Sequence, residues 1–137
     1  MSLTLRFLDS LKLKDQIVMS TFRDLKIWEK AMDIVTKVYR DTNDFPKEEI
    51  YGLTSQIRRA CISIPSNIAE GYGRKGKKEY LRFLNIAMSS LFEVQTQLQI
   101  SKNLKYISED KFETMYEETR ELERMLSSYN RKVESSI

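Results

Sequence analysis

Residues 70–78, EGYGRKGKK, hold the groups in this chain best suited to recognising a ligand. Gly71, Gly73 and Gly76 alternate there with Arg74, Lys75, Lys77 and Lys78. Arg74 and Lys75 follow a predicted helix C-terminus, where the macrodipole welcomes cations and no special role is needed. Lys77 and Lys78 open the next helix, where the dipole disfavours each cation by about 0.3–1 kcal/mol. Cations kept at a helix start, beside free backbone amides, suit a phosphate or carboxylate ligand. Arg82 lies one turn further on the same face, and Arg58 and Arg59 would extend the patch if the fold brings them near. The alternative is a charged, solvated turn with Glu79 pairing locally.

Other chemistry finds less support. GYGRKG matches G-x-G-x-x-G, but the dinucleotide fingerprint needs a preceding strand and a parallel sheet. A helix precedes it here, so it reads as a glycine-rich helix terminus. Glu113, Glu117, Glu118 and Glu121 would suit a di-metal bundle site, yet such sites pair glutamate with Glu-x-x-His. The chain has no histidine, which also removes the commonest general base and the Ser-His and Cys-His nucleophiles. Those glutamates are therefore expected on a solvated face. A single cysteine, Cys61, permits neither an intramolecular disulfide nor a cysteine metal cluster. It lies on an apolar stripe and reads as a small buried hydrophobe. Asn67 and Glu70 either line a site, or satisfy backbone groups freed around Pro65 or bond across a subunit contact. No enzyme activity, cofactor or metal is expected.

The elements that must position these residues are helices. Only two prolines and four glycines interrupt 137 residues, a length suited to one domain with its own core. A first helix is predicted from near Asp24, with Thr21 or Asp24 as its cap. Leu25, Trp28, Met32, Val35 and Tyr39 form a heptad seam, and Ile27, Ala31, Ile34 and Val38 a second stripe beside it. So wide an apolar arc predicts contact with both the bundle and another subunit. Pro46 suits the first turn of a second helix, with Glu48 and Glu49 at its positive end, running to about Tyr72. Ile57, Ala60, Cys61, Ile64 and Ile68 carry its stripe past Pro65, which predicts a kinked helix; two short helices are the alternative. Ala60, Ser63, Asn67 and Gly71 make an adjoining face of small or short residues, expected to be a packing seam between subunits.

A third helix is predicted from Lys77 to about Lys102, with Leu81, Leu84, Met88, Leu91 and Leu98 on one stripe and Tyr80, Phe83, Ala87 and Val94 on the next. Asn103 and Leu104 turn the chain, and Ser108 caps a fourth helix. That helix buries Phe112, Met115, Leu122, Leu126, Tyr129 and Val133, with Thr119 in the seam. Loops this short predict an antiparallel up-down four-helix bundle over residues 21–134, followed by a tail at 135–137. Residues 1–20 mix helical and alternating apolar spacing and are expected to be a weakly structured extension or short helix. Their charges interrupt any signal-peptide core, and no run is long enough to span a membrane, so a cytoplasmic protein is expected.

The string SIPSNIAEGYGR, preceded by QIRRACI and followed by KKEYLRFLNIAMSSLFE, resembles the four-helix-bundle proteins encoded in 23S rRNA intervening sequences. FRDLKIWEKA extends the resemblance, which runs from about Phe22 to Arg131. The superfamily includes the accessory protein of diversity-generating retroelements. Met19 begins a segment similar to the family's usual start, which marks residues 1–18 as an extension. The resemblance implies a homo-oligomer, a pentameric barrel, and in the retroelement accessory protein a strongly basic barrel surface engages nucleic acid and a reverse transcriptase. Carried onto this chain, it implies RNA or DNA held by phosphate through the basic turn. An oligomeric adaptor for a protein partner is the alternative, with Tyr51, Tyr72 and Tyr106 as anchors.

Overall fold

Four helices organise the described chain, residues 21–136 of a computed structural model: α1 (Lys26–Thr42), α2 (Leu53–Tyr72), α3 (Lys77–Asn103) and α4 (Glu109–Ser135). The extension expected over residues 1–20, and Ile137 of the expected tail, lie outside the described residues. No strand occurs among the described residues. Each helix packs against its neighbours in sequence, and α1 closes the ring against α4. The bundle is therefore antiparallel and up-down-up-down.

Both candidate caps of the first helix act, one turn early. Thr21 and Asp24 form a reciprocal capping box around a single 3-10 turn, Phe22–Asp24, and α1 follows with no side-chain cap of its own. Of the two stripes on α1, the core takes Ile27, Ala31, Ile34 and Val38. In the heptad seam only Leu25 is buried, while Trp28 and Val35 are half-buried and Met32 and Tyr39 exposed.

The start of α2 departs from expectation. Pro46 precedes a short 3-10 turn, Lys47–Glu49, and α2 begins only at Leu53. Gly52 is the cause, since its backbone (φ −114°, ψ −117°) is not helical. Glu49 then folds back, and its Oε1 accepts the Leu53 amide at 3.1 Å. Beyond that point α2 runs unbroken through Pro65, which is buried, so two short helices do not form.

The small-residue face of α2 proves to be a seam within the subunit. Ser63 Oγ and Ser90 Oγ on α3 lie 2.8 Å apart, and Asn67 Nδ2 donates to Ser63 O and Oγ at 2.7 and 2.9 Å. A β-carbon on Gly71 would lie 2.7 Å from Phe83 Cβ. Ala60 is buried in the core. Small side chains let the backbones of α2 and α3 approach, while Ser63 and Asn67 on the face expected to meet another subunit stay half-buried. Asn67 thus bonds within its own helix, and Glu70 pairs with Arg74.

At its far end α3 closes with a Schellman motif. Lys105 takes the left-handed position (φ 63°), Tyr106 N–H bonds Ser101 O, and Lys105 N–H bonds Lys102 O. Ser108 then caps α4, accepting the Lys111 amide at 3.2 Å. Ile34, Ile57, Ile64, Ile68, Leu84, Leu91, Leu122 and Leu126 fill the centre. Thr119 sits buried among them, its hydroxyl satisfied by Tyr116 O at 2.6 Å.

Candidate nucleic-acid interface

An even number of antiparallel helices puts the start of α1, the α2–α3 turn and the end of α4 at the same end of the bundle. Nine basic residues collect there: Arg23, Lys26, Arg74, Lys75, Lys77, Lys78, Arg82, Arg131 and Lys132. The acids at that end are Asp24, Glu29, Glu70, Glu79 and Glu134. The whole chain carries only +3, so this end alone holds an excess larger than the net charge.

Local geometry divides the basic turn into roles. Gly73 closes α2, and Gly76, at φ 84°, turns the chain into α3 in a conformation that side chains rarely adopt. Arg74 Nη2 meets Glu70 Oε1 at 2.6 Å, and Arg82 Nε meets Glu79 Oε2 at 2.9 Å. Both guanidiniums lie on Phe83, with their carbons 4.9 and 4.8 Å from its ring centre. Phe83 thus draws Arg74 and Arg82 into one patch. Lys75 and Lys78 are exposed and make no ion pair or hydrogen bond with the described residues.

Lys77 has another task. Its Nζ donates to Glu134 O at 3.0 Å and Ser136 O at 2.8 Å, capping the C-terminus of α4. The cost of a cation at the start of α3 is offset by the negative end of the neighbouring dipole. No ligand is needed to explain it.

Arg58 and Arg59 do not join the patch. Arg58 Nε donates to Thr42 Oγ1 at 2.9 Å and Nη2 to Tyr39 O at 3.4 Å and Asn43 Oδ1 at 3.3 Å. With its guanidinium 4.6 Å from the Tyr39 ring, it clasps the end of α1. Fourteen helical steps of 1.5 Å put it roughly 21 Å from the end of α2 at Tyr72, where the basic turn begins. Arg59, its neighbour, is exposed at that same distant level.

Beneath the basic turn lies a tyrosine cluster. Tyr80 and Tyr129 share a 2.8 Å hydroxyl contact, and Tyr72 meets Tyr80 edge-on. Burial, reinforced by Tyr129, raises the Tyr80 phenol well above its ordinary range. Cys61 is likewise pushed up, to about 12, by burial. The α4 glutamates are not simply solvated: Glu118 bonds Lys37 and Lys30, Glu121 pairs with Lys30, and Glu117 with Arg124. Among the described residues, Glu113 alone of the four is exposed without such a partner. The Glu118 hydrogen bond, then Asp33, raises the Lys37 ammonium.

Arg23, Lys26 and Arg131 extend the basic end beyond the residues singled out from sequence. Their signal was the topology, because helix ends remote in sequence share one end of an up-down bundle.

The sequence pattern of the 23S rRNA-intervening sequence proteins matches residues 23–128. The chain belongs to that family. A solved relative in fold is a protein of unknown function from the S23 ribosomal protein family of Bacteroides thetaiotaomicron, at TM-score 0.69 and 20% identity. The match covers 76% of this chain and 97% of that one. No curated protein matches the chain. Among the described residues, no helix is long and apolar enough to cross a membrane.

Proposed function

We propose that this member of the family is a non-enzymatic, oligomeric bundle that binds nucleic-acid phosphate through its basic end. The observation that carries the reading is the gathering of positive excess at one end, with Lys75 and Lys78 unpaired among the described residues. The working residues are Arg74, Lys75, Lys78 and Arg82, supported by Lys26 and Arg131. Lys77 belongs to the scaffold. Sequence specificity is not expected, since phosphate contacts position a ligand without reading its bases.

The assembly proposed is a homo-oligomer, a pentamer by resemblance to the family. The half-covered Trp28, Met32, Val35 and Tyr39 stripe supports it, as a helix face more apolar than one bundle requires. Repetition by symmetry would multiply a field that a single subunit supplies only weakly. The adaptor reading keeps one supporting feature, Tyr51, which is 94% exposed beside exposed Ile50. Tyr72 and Tyr106 fit it less well: both are half-buried, and Tyr106 donates to Glu49.

The test is fluorescence anisotropy of labelled RNA and DNA across a salt series. Binding should weaken steeply with salt, and Lys75→Ala with Lys78→Ala should flatten the log–log slope by about 1 per lost phosphate contact. Lys77→Ala should leave that slope nearly unchanged. No binding near physiological salt, from folded protein, refutes the proposal.

A further inference from the structure

The aromatic rings of the basic end are arranged in a way that bears on which nucleic acid it takes. Proteins that hold single strands offer exposed ring faces on which unstacked bases lie, commonly within a groove that tracks one backbone. Here the rings are already occupied by the chain's own side chains. Phe22 and Trp28 meet edge to face at 5.2 Å, and the Arg23 guanidinium lies 5.8 and 5.7 Å from their centres. Phe83 is buried and carries both Arg74 and Arg82. Tyr72 is set edge-on against Tyr80. Among the described residues, the aromatic side chains that are exposed, Tyr39, Tyr51 and Phe92, lie on the shaft or at the opposite end.

The same contacts do something positive for phosphate. A guanidinium held against a ring loses little further freedom on binding and presents the N–H edge of its fork outward. Arg74 and Arg82 each direct one donor to a carboxylate, and a guanidinium has five. The basic residues are also spread over the termini of four helices, whose axes stand about 8–10 Å from their neighbours. A ligand with phosphates on two strands can meet such a two-dimensional array. A single strand can follow only part of it.

Resting on the proposed phosphate reading, we infer that the basic end takes double-helical nucleic acid and discriminates against single strands, because Arg23, Arg74 and Arg82 cover the rings on which unpaired bases would stack. The shared chemistry is the paired phosphate backbone, whether of RNA or DNA.

The experiment uses the full chain with three labelled probes of equal length: an unstructured oligouridylate, an RNA duplex and a DNA duplex. At one salt concentration, at least one duplex should bind about tenfold more tightly than the single strand, and comparing the two duplexes identifies the source. Charge density alone would also favour duplexes, so Arg23→Ala provides the discriminating arm. That variant removes one cation and uncovers Trp28, the only tryptophan in the chain. Its duplex-to-single-strand ratio should fall, and oligouridylate should newly quench its tryptophan emission. Single-strand binding equal to duplex binding in the parent overturns the inference and leaves the phosphate reading standing. A ratio unchanged by Arg23→Ala, without new quenching, overturns the covering role. Failure of all three probes to bind overturns both readings.

Discussion

Gly71→Ala adds one methyl group where α2 and α3 come together, and its effect follows from two distances. The new carbon would stand 2.7 Å from Phe83 Cβ and 3.2 Å from Tyr80 Cδ1, whereas carbons rest comfortably at about 3.5–4.0 Å. Phe83 Cβ is one bond from the backbone, so no rotamer change removes the clash, and α2 and α3 must separate. Overpacking of this kind costs about 1–3 kcal/mol. Alanine recovers about 0.5–1 kcal/mol of helix preference over glycine. The expected net loss is therefore about 1–2 kcal/mol. Urea unfolding followed by circular dichroism should show a lower midpoint at unchanged slope. Several protein concentrations are needed, so that assembly is not mistaken for subunit stability. Gly73→Ala is the control: its nearest atom is Glu70 O at 3.6 Å, and it should stay within about 0.5 kcal/mol of the parent. If Gly71→Ala is as stable as the parent, the close approach described above is wrong. Because Phe83 supports Arg74 and Arg82, the variant should also weaken nucleic-acid binding by displacing both.

Three further outcomes are expected. Lys77→Ala should destabilise the fold by about 0.5–1.5 kcal/mol and speed hydrogen exchange in the last turn of α4, whose carbonyls it caps; unchanged exchange there would show the cap to be idle. Cys61, buried with its thiol pushed up to about 12, should resist iodoacetamide at pH 8 and react once the protein is unfolded in urea. The Gln95 hydrogen bond, then Arg120, lowers the Glu123 carboxyl below its ordinary 4.5, so this contribution is complete above that pH and lost as pH falls through the lower folded value. The stability gap between the parent and Gln95→Ala should therefore narrow in acid, and a gap constant down to pH 2 would contradict the assignment.

Local features of this fold were legible in the sequence. Lys77 as the start of α3, Ser108 as a cap and Thr119 in the seam all depend on residues within a few positions, where spacing and side-chain type act directly. The start of α2 was misplaced because Pro46 carries a strong signal, whereas Glu49 reaching past Gly52 depends on one glycine's backbone. The candidate site was harder. Lys77 and Glu134 are 57 residues apart, and Arg58 finds its acceptors 15 to 19 residues back. Spacing alone makes Lys77 a cation kept at a cost and Arg58 an extension of the basic patch, and only the fold supplies their acceptors. The small-residue face was recognisable as a seam, but spacing alone says nothing about whether the partner helix belongs to the same chain.

The up-down order of the helices leaves Thr21 and Ser136 at the same end of adjacent helices, beside the basic turn. Circular permutation can therefore separate architecture from binding. Removing residues 1–20 and Ile137, joining Thr21 to Ser136 through a short linker and reopening the chain near Lys105 places both new termini at the far end, away from every cation proposed to meet phosphate. Reopening it between Gly73 and Gly76 preserves the four helices and severs the turn itself. Two rearrangements of one composition, with the same net charge apart from their linkers, would then report whether the spatial arrangement of that turn matters.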